Sequence, residues 1–358
     1  MNERLERLRS LFDKYKIDSL LVTNAENRRY LSGFHGSAGI LFITNGQAIL
    51  ATDFRYTEQA VSQAPDFEIL RIANNLDDWF PALCRKNNIT HLGFEAFDVS
   101  YDLYCRLAEA LKRHAPSCHL VPSSGIVEEL RCIKDSEEIA RIEKAVTISD
   151  FAFNTIAPTI QPGKTELQVA WEIEKCLREN GSENLPFEII VASGPKSALP
   201  HAHPSERVIC DGDSVVIDMG ARYGGYASDL SRTICAGTPS DLFKKIYTIV
   251  LDAQTAALRI ISSGITGGDA DAAAREVIQQ AGHGEAFGHS LGHGVGLAAH
   301  EAPRLSPGVN DPLLDGMVFT IEPGIYLSGW GGVRIEDTAV LENGELRVLS
   351  RAEKARYD

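Results

Sequence analysis

The residues that could do chemistry lie in four short stretches of the second half of the chain. In VVIDMGARYGGYASDLSRT (215–233), Asp218 follows Val215, Val216 and Ile217, and Asp229 returns just past Gly224-Gly225. Burying an unpaired carboxylate in a strand costs several kcal/mol, so this pattern needs a reason. A loop of two or four residues around the glycines sets Asp229 opposite Gly220, two positions along from Asp218. Period-two alternation then points both acids to one face. Diagonal neighbours of this kind have Cα atoms about 7–8 Å apart. Like charges that close repel unless a cation sits between them. The plain alternative is the solvated face of a hairpin, where acids commonly sit.

The second stretch, GHSLGHGVGLAAHEAPRLSPG, carries His289, His293 and His300 among glycines. Each glycine costs about 1 kcal/mol in a helix interior, so the segment reads as extended or looped. The i, i+4 histidine pair lacks the glutamate of a helical H-E-x-x-H zinc site; Ser290 stands there. A phosphate-binding loop is excluded because no Lys-Ser/Thr ends the glycine run. In GMVFTIEPGIY, Glu322 ends an apolar run before Pro-Gly. In GGVRIEDTAVL, read as one strand, Arg334, Glu336 and Thr338 share one face and Val333, Ile335 and Asp337 the other. Taken singly, each glutamate is a strand-end charge and Arg334 a partner for Glu336.

Together these stretches supply two aspartates, two glutamates and at least one histidine. Four carboxylates around one cavity cannot all stay ionised alone. Two divalent ions would balance them, with a neutral imidazole added. Oxygen-rich ligation with one nitrogen suits Mn²⁺ or Co²⁺ more than a thiolate-type Zn²⁺ site, with Zn²⁺ as the remaining option. Ions about 3.5–4 Å apart can share a water and bring its pKa toward neutrality.

These residues need a frame, and the remaining sequence outlines one. The chain has 358 residues, 44% hydrophobic, enough for two cores. Its net charge of -14 and the lack of a Lys/Arg cluster argue against nucleic acid as a partner. Seven scattered cysteines, with no C-x-x-C, read as free thiols of a reducing compartment. The N-terminal MNERLERLRSLFDKYKIDS reads as a charged amphipathic helix with no signal-type core, and no stretch is apolar enough to span a membrane. The expected location is the cytoplasm.

Short strands and helices alternate over residues 1–125, including a hairpin at 39–53 whose Asn45-Gly46 is expected to supply positive backbone angles. This is an α/β unit with a mixed sheet. Asp135 and Glu138 form a capping-box pattern for a long helix ended by Pro162-Gly163, so the domain boundary falls between Ser124 and Asp135. Residues 126–358 read as α+β. Helices at 136–158 and 165–180 precede strands at 187–193 and 214–234. Helices at 240–262 and 268–281 precede strands at 317–323, 333–341 and 345–349. The helix-pair-then-strands order occurs twice, which points to a pseudo-repeated architecture.

DMGARYGGYASDLSRT, HSLGHGVGLAAHEAP, TIEPGIY and GVRIEDTAVL resemble the ligand segments of the pita-bread metallopeptidases, Xaa-Pro aminopeptidases and prolidases above all. YLSGFHGSAGILFIT and TDFRYTEQA resemble their creatinase-like N-terminal domain, and LRCIKDSEEIARIEKA and FEIIVASGPKSALPHAHPS match as well. The resemblance implies Asp218, Asp229, His293, Glu322 and Glu336 as ligands of two metal ions, with Asp229 and Glu336 bridging. Asp218 would hold one ion, and His293 and Glu322 the other. It implies Glu322 as acceptor of the water proton, His201, His289 and His300 as substrate and oxyanion contacts, and Arg334 as orienter of carboxylates. Phe187 and His203 would line the pocket.

The implied reaction is hydrolysis of the Xaa-Pro bond at a peptide N-terminus. The dipeptide-restricted prolidase is the near alternative. The resemblance also implies a homodimer in which the partner's N-terminal domain walls the groove, with the 33–39 loop and Arg55 as candidates for that wall. A methionine aminopeptidase would not carry the first 125 residues. A creatinase would lack the metal ligands, whereas all five positions are filled here. A non-enzymatic peptide-binding module is the remaining reading.

Overall fold

The computed structural model describes residues 3–73 and 75–357. The chain divides into two compact units, Met1–Arg131 and Cys132–Asp358. Among the described residues no helix is long and apolar enough to cross a membrane.

The first unit is built on a six-stranded sheet in the order Glu68–Arg71, Ala48–Thr52, Ile40–Thr44, Ser19–Val22, His91–Glu95, His119–Ser123. The Ile40–Thr44 strand pairs antiparallel on both sides and the remaining pairings are parallel, so the sheet is mixed as expected. Leu21, Phe42, Ile49, Leu92, Leu107 and Leu111 pack its core. The hairpin turn departs from expectation, because neither Asn45 nor Gly46 takes a positive φ. Instead the Thr44 hydroxyl accepts from the backbone N–H groups of Gly46 (3.2 Å) and Gln47 (2.9 Å), a side-chain-stabilised turn. The expected N-terminal helix is two pieces, Glu3–Ser10 and Phe12–Tyr15; Met1 and Asn2 lie outside the described residues.

Short helices at Ala25–Ser32, Phe80–Lys86 and Ile126–Cys132 went unread. Seven or eight residues give too little periodicity against a strand background. The last of these helices carries Arg131, which donates to Asn27 (2.7 Å), and the seam between the two units follows Arg131.

In the second unit each helix pair packs on its own sheet. Ser136–Ile156 opens with the Asp135–Glu138 capping box read from sequence. With Glu166–Glu179 it covers the antiparallel sheet Leu230–Cys235, Ser214–Met219, Ile190–Ser193. Asp241–Ile260 and Gly267–Gln280 pack against the five-stranded sheet Glu301–Leu305, Gly292–Gly294, Val318–Ile321, Asp337–Glu342, Glu345–Val348. The expected 333–341 strand is broken. Gly331–Arg334 pairs with Gly324–Leu327, while Asp337–Glu342 pairs with Val318–Ile321 and Glu345–Val348. Ile335 and Glu336 carry the chain from one sheet to the next.

Candidate metal centre

The hairpin register holds. Leu230 faces Met219 and Ser231 faces Asp218, which continues to Asp229 opposite Gly220. Tyr226 faces Tyr223 across a two-residue turn in which Gly224 (φ 56°) and Gly225 (φ 86°) take the left-handed backbone that a tight hairpin demands. The face shared by the two acids is not solvated: Asp229 is 5% exposed. Glu336 reaches the same point from the break between sheets, where its N–H donates to Ser231 O (3.0 Å). One oxygen from each of Asp218, Asp229 and Glu336 lies within 4.8 Å of the others.

His293 arrives on Gly292–Gly294, and its flanking glycines are steric necessities. A Cβ on Gly292 would sit 2.0 Å from Thr320 O, and one on Gly294 2.0 Å from Ala302 O. His293 Nδ1–H donates to Gly294 O (3.1 Å), which fixes the tautomer and leaves Nε2 free as a ligand. That Nε2 lies 3.3 Å from Glu322 Oε1 and 3.6 Å from Asp229 Oδ2. Thr320 donates to Glu322 Oε1 (3.0 Å) and accepts from His293 N–H (3.1 Å), so one hydroxyl sets both. Asp229, His293 and His300 form a second group with ligand atoms within 4.8 Å of one another. Asp229 therefore belongs to both groups and lies between them.

Burial, then the charges of Glu336, Asp218 and Glu322, push the Asp229 carboxyl well above the usual range. Burial, then Glu322 and Asp218, does the same to Glu336. Burial also raises Asp218, against the pull of Arg334. At Glu322 burial works upward, but the neighbouring His293, with His289 and Arg334, outweighs it and the carboxyl lies below its ordinary value. Asp218 Oδ1 and Glu336 Oε1 are buried without a hydrogen-bond partner. Orphaned carboxylate oxygens beside mutually repelling acids are the donor set of a hard divalent cation, so the residues present fit such an ion.

Arg334 does not pair with Glu336. It donates to Asp218 Oδ2 (2.7 Å), Ser231 Oγ (2.7 Å) and the Tyr326 hydroxyl (2.9 Å). Tyr326 in turn meets His289 Nε2 at 3.0 Å, while His289 Nδ1 donates to Ser290 O (2.8 Å). Burial holds His289 below its ordinary value and so neutral, and Nε2 accepts from Tyr326. Both His289 nitrogens are thus engaged within the protein. His300 is exposed overall; its ring centroid lies 4.0 Å from that of His293 at a 40° tilt, and partial desolvation, then the neighbouring His293, bring it down to about 4.

A cavity of about 430 Å³ is lined by Phe187, His201, Asp218, Asp229, His289, His293, His300, Glu322 and Arg334, with Glu336 behind it. His203 also lines it, but its Nδ1 is taken by exposed Glu188 (2.9 Å). Sequence reasoning missed Tyr326, Thr320, Ser231 and Arg304, the last also on the cavity wall. Tyr326 and Thr320 were within reach, since both share the parity of Glu322 in the quoted TIEPGIY segment. The others depend on contacts between distant segments.

Residues 140–343 match Metallopeptidase family M24, and residues 4–133 match the Creatinase/Prolidase N-terminal domain. The solved structure of an Xaa-Pro dipeptidase from Bacillus anthracis superposes with a TM-score of 0.95 at 45% identity, covering 99% of this chain and 98% of that one. The X-Pro aminopeptidase from Thermotoga maritima MSB8 superposes at 0.89 with 38% identity, covering 99% of each. An Xaa-Pro dipeptidase of Pyrococcus horikoshii is 38% identical across 99% of this chain and 98% of its own. The paired sheets and the helices on them are thus those of a pita-bread hydrolase, and the chain belongs to metallopeptidase family M24, with a creatinase/prolidase domain ahead of the catalytic one.

Proposed function

We propose that the chain is an Xaa-Pro dipeptidase working with two divalent ions, Mn²⁺ or Co²⁺. Asp218, Asp229, His293, Glu322 and Glu336 would hold them, with Asp229 and Glu336 shared. The ions would supply Lewis acidity, making water a nucleophile near neutral pH and polarising the scissile carbonyl. Glu322, with Oε1 held by Thr320, takes the proton of the attacking water and returns it to the departing proline nitrogen. His300, neutral at pH 7, and His201 on the cavity wall donate to the oxygen that gains charge. Arg334 holds Asp218 in its ligating orientation, and His289 holds the Tyr326 hydroxyl on Arg334.

The observation that carries the dipeptide reading is Arg304. The cavity holds two arginines; Arg334 is committed to Asp218 and Tyr326, whereas Arg304 is paired with no carboxylate among the described residues. A dipeptide ends in a free carboxylate next to its scissile bond, and a longer peptide does not. A guanidinium on the wall therefore favours the shorter substrate. Two of the three relatives described above are named dipeptidases, against the sequence expectation that put the aminopeptidase first. The test compares Ala-Pro with Ala-Pro-Ala under added Mn²⁺. Preference for the dipeptide, lost in Arg304→Ala mainly through KM, is the expected result. A preference for the tripeptide would return the aminopeptidase reading. No hydrolysis of either, with ions loaded, would leave a peptide-binding module.

A further inference from the structure

The helix Gly267–Gln280 carries an Asp271–Arg275 pair at i, i+4 spacing. Such pairs are ordinarily solvent-exposed and only weakly stabilising. This one is different in three respects. Asp271 is 1% exposed. The pair is bidentate, Nε to Oδ2 at 2.7 Å and Nη2 to Oδ1 at 2.9 Å. Both partners also reach off the helix to the same five-residue segment. Arg275 Nη1 donates to Phe287 O (2.8 Å) and Nη2 to His289 O (2.8 Å), while Asp271 Oδ1 accepts from Leu291 N–H (3.0 Å). The guanidinium also covers the Phe287 ring at 4.2 Å, and that ring stands edge-on to His289 with centroids 5.0 Å apart.

The segment so held is fixed at its ends by the core residues Phe287 and Leu291 and by the Glu322 N–H that donates to Leu291 O (2.8 Å), which leaves Gly288 to Ser290 between them. It contains Gly288, whose missing Cβ would meet nothing within 4 Å, and residues 287–291 lie outside any helix or strand. Yet it must present His289 so that Nε2 meets the Tyr326 hydroxyl at 3.0 Å. From that hydroxyl the contacts run to Arg334 and Asp218. We infer that Asp271 and Arg275 are positioning residues: a carboxylate–guanidinium clamp that holds the backbone on both sides of His289 and so fixes its ring in the cavity wall. The fork geometry matters, because only a guanidinium can bind one carboxylate in two places and two carbonyls at once. The inference rests on the proposed peptidase reading.

The test is a double-mutant cycle on the ion-loaded enzyme with Ala-Pro, using Arg275→Met, His289→Ala and the pair. Misplacing a group by about 1 Å can cost about 100-fold in rate. Arg275→Met is expected to lower kcat by about 30–100-fold with KM within about threefold and parental metal content. Arg275→Lys, which keeps charge but not the fork, is expected to recover only part. In the His289→Ala background Arg275→Met is expected to cost less than about threefold more, since its route is already gone. Arg275→Lys carries the same cycle if the methionine variant does not fold. Multiplicative effects in the cycle, or an unchanged kcat in Arg275→Met, would overturn the clamp while leaving the peptidase reading intact. Parental kcat in His289→Ala would overturn it too. A parental enzyme inert toward Ala-Pro would instead sink the peptidase reading itself.

Discussion

Replacing Asp229 with asparagine is expected to reverse the stability order of metal-free and metal-loaded protein. Two unit charges 4.8 Å apart, the outer limit for the Asp218, Asp229 and Glu336 oxygens, repel by about 3.5 kcal/mol at an effective dielectric of about 20. Three ionised acids would cost about 10 kcal/mol, as much as a typical domain's whole stability. The metal-free protein avoids this by retaining protons: burial first, and then the neighbouring acids, set Asp229 and Glu336 well above the usual carboxyl range.

The sign follows from linkage. The unfolded chain loses these protons near pH 4, whereas the folded chain keeps them to higher pH. The unfolded state is therefore favoured progressively as pH rises from about 4 to the raised folded values. Asparagine at 229 removes two of the three repulsive pairs. At pH 8 the metal-free variant is expected to exceed the metal-free parent by about 2–4 kcal/mol, or some 5–10 °C in Tm. Its Tm is expected to fall less than the parent's between pH 5 and pH 8. With Mn²⁺ the order inverts, because the parent gains about 2.7 kcal/mol per site at 100 times Kd and the variant lacks the shared ligand. Calorimetry with and without chelator, plus elemental analysis, measures all of this. A metal-free variant that is folded yet less stable than the parent at pH 8, or one that gains as much from Mn²⁺ as the parent, would refute the reasoning.

Two further substitutions test the frame. Arg334→Met strands the Asp218 carboxylate without its partner and is expected to destabilise the protein by about 3–5 kcal/mol in urea titration, with metal affinity lowered. Asp135→Ala removes the capping box of Ser136–Ile156 and is expected to cost about 1 kcal/mol, seen as a Tm drop with kcat unchanged.

Much of the site was legible because it depends on local rules. The Asp218–Asp229 register follows from a two-residue glycine turn and period-two alternation, both confined to nineteen consecutive residues. The same holds for the capping box at Asp135, where cap and partner lie three residues apart. The errors share the opposite character. Asn45-Gly46 has the composition of a left-handed turn, but Thr44 supplied side-chain bonds that made a different backbone preferable. The 333–341 run alternates like one strand, yet its ends are claimed by different sheets, and the break at Ile335–Glu336 arises from that competition.

Sequence by itself determined which acids and which imidazole could gather around a cation, because ligand type and strand parity are properties of short segments. Only the tertiary structure decided that Arg334 serves Asp218, that Tyr326 bonds Arg334, that the Thr320 hydroxyl joins His293 to Glu322, that both His289 nitrogens bond within the protein, and that Asp271 and Arg275 bond the backbone around His289. Those contacts join segments that chain position leaves independent, and they exist only where packed sheets and helices bring one segment's polar atoms within 3 Å of another's.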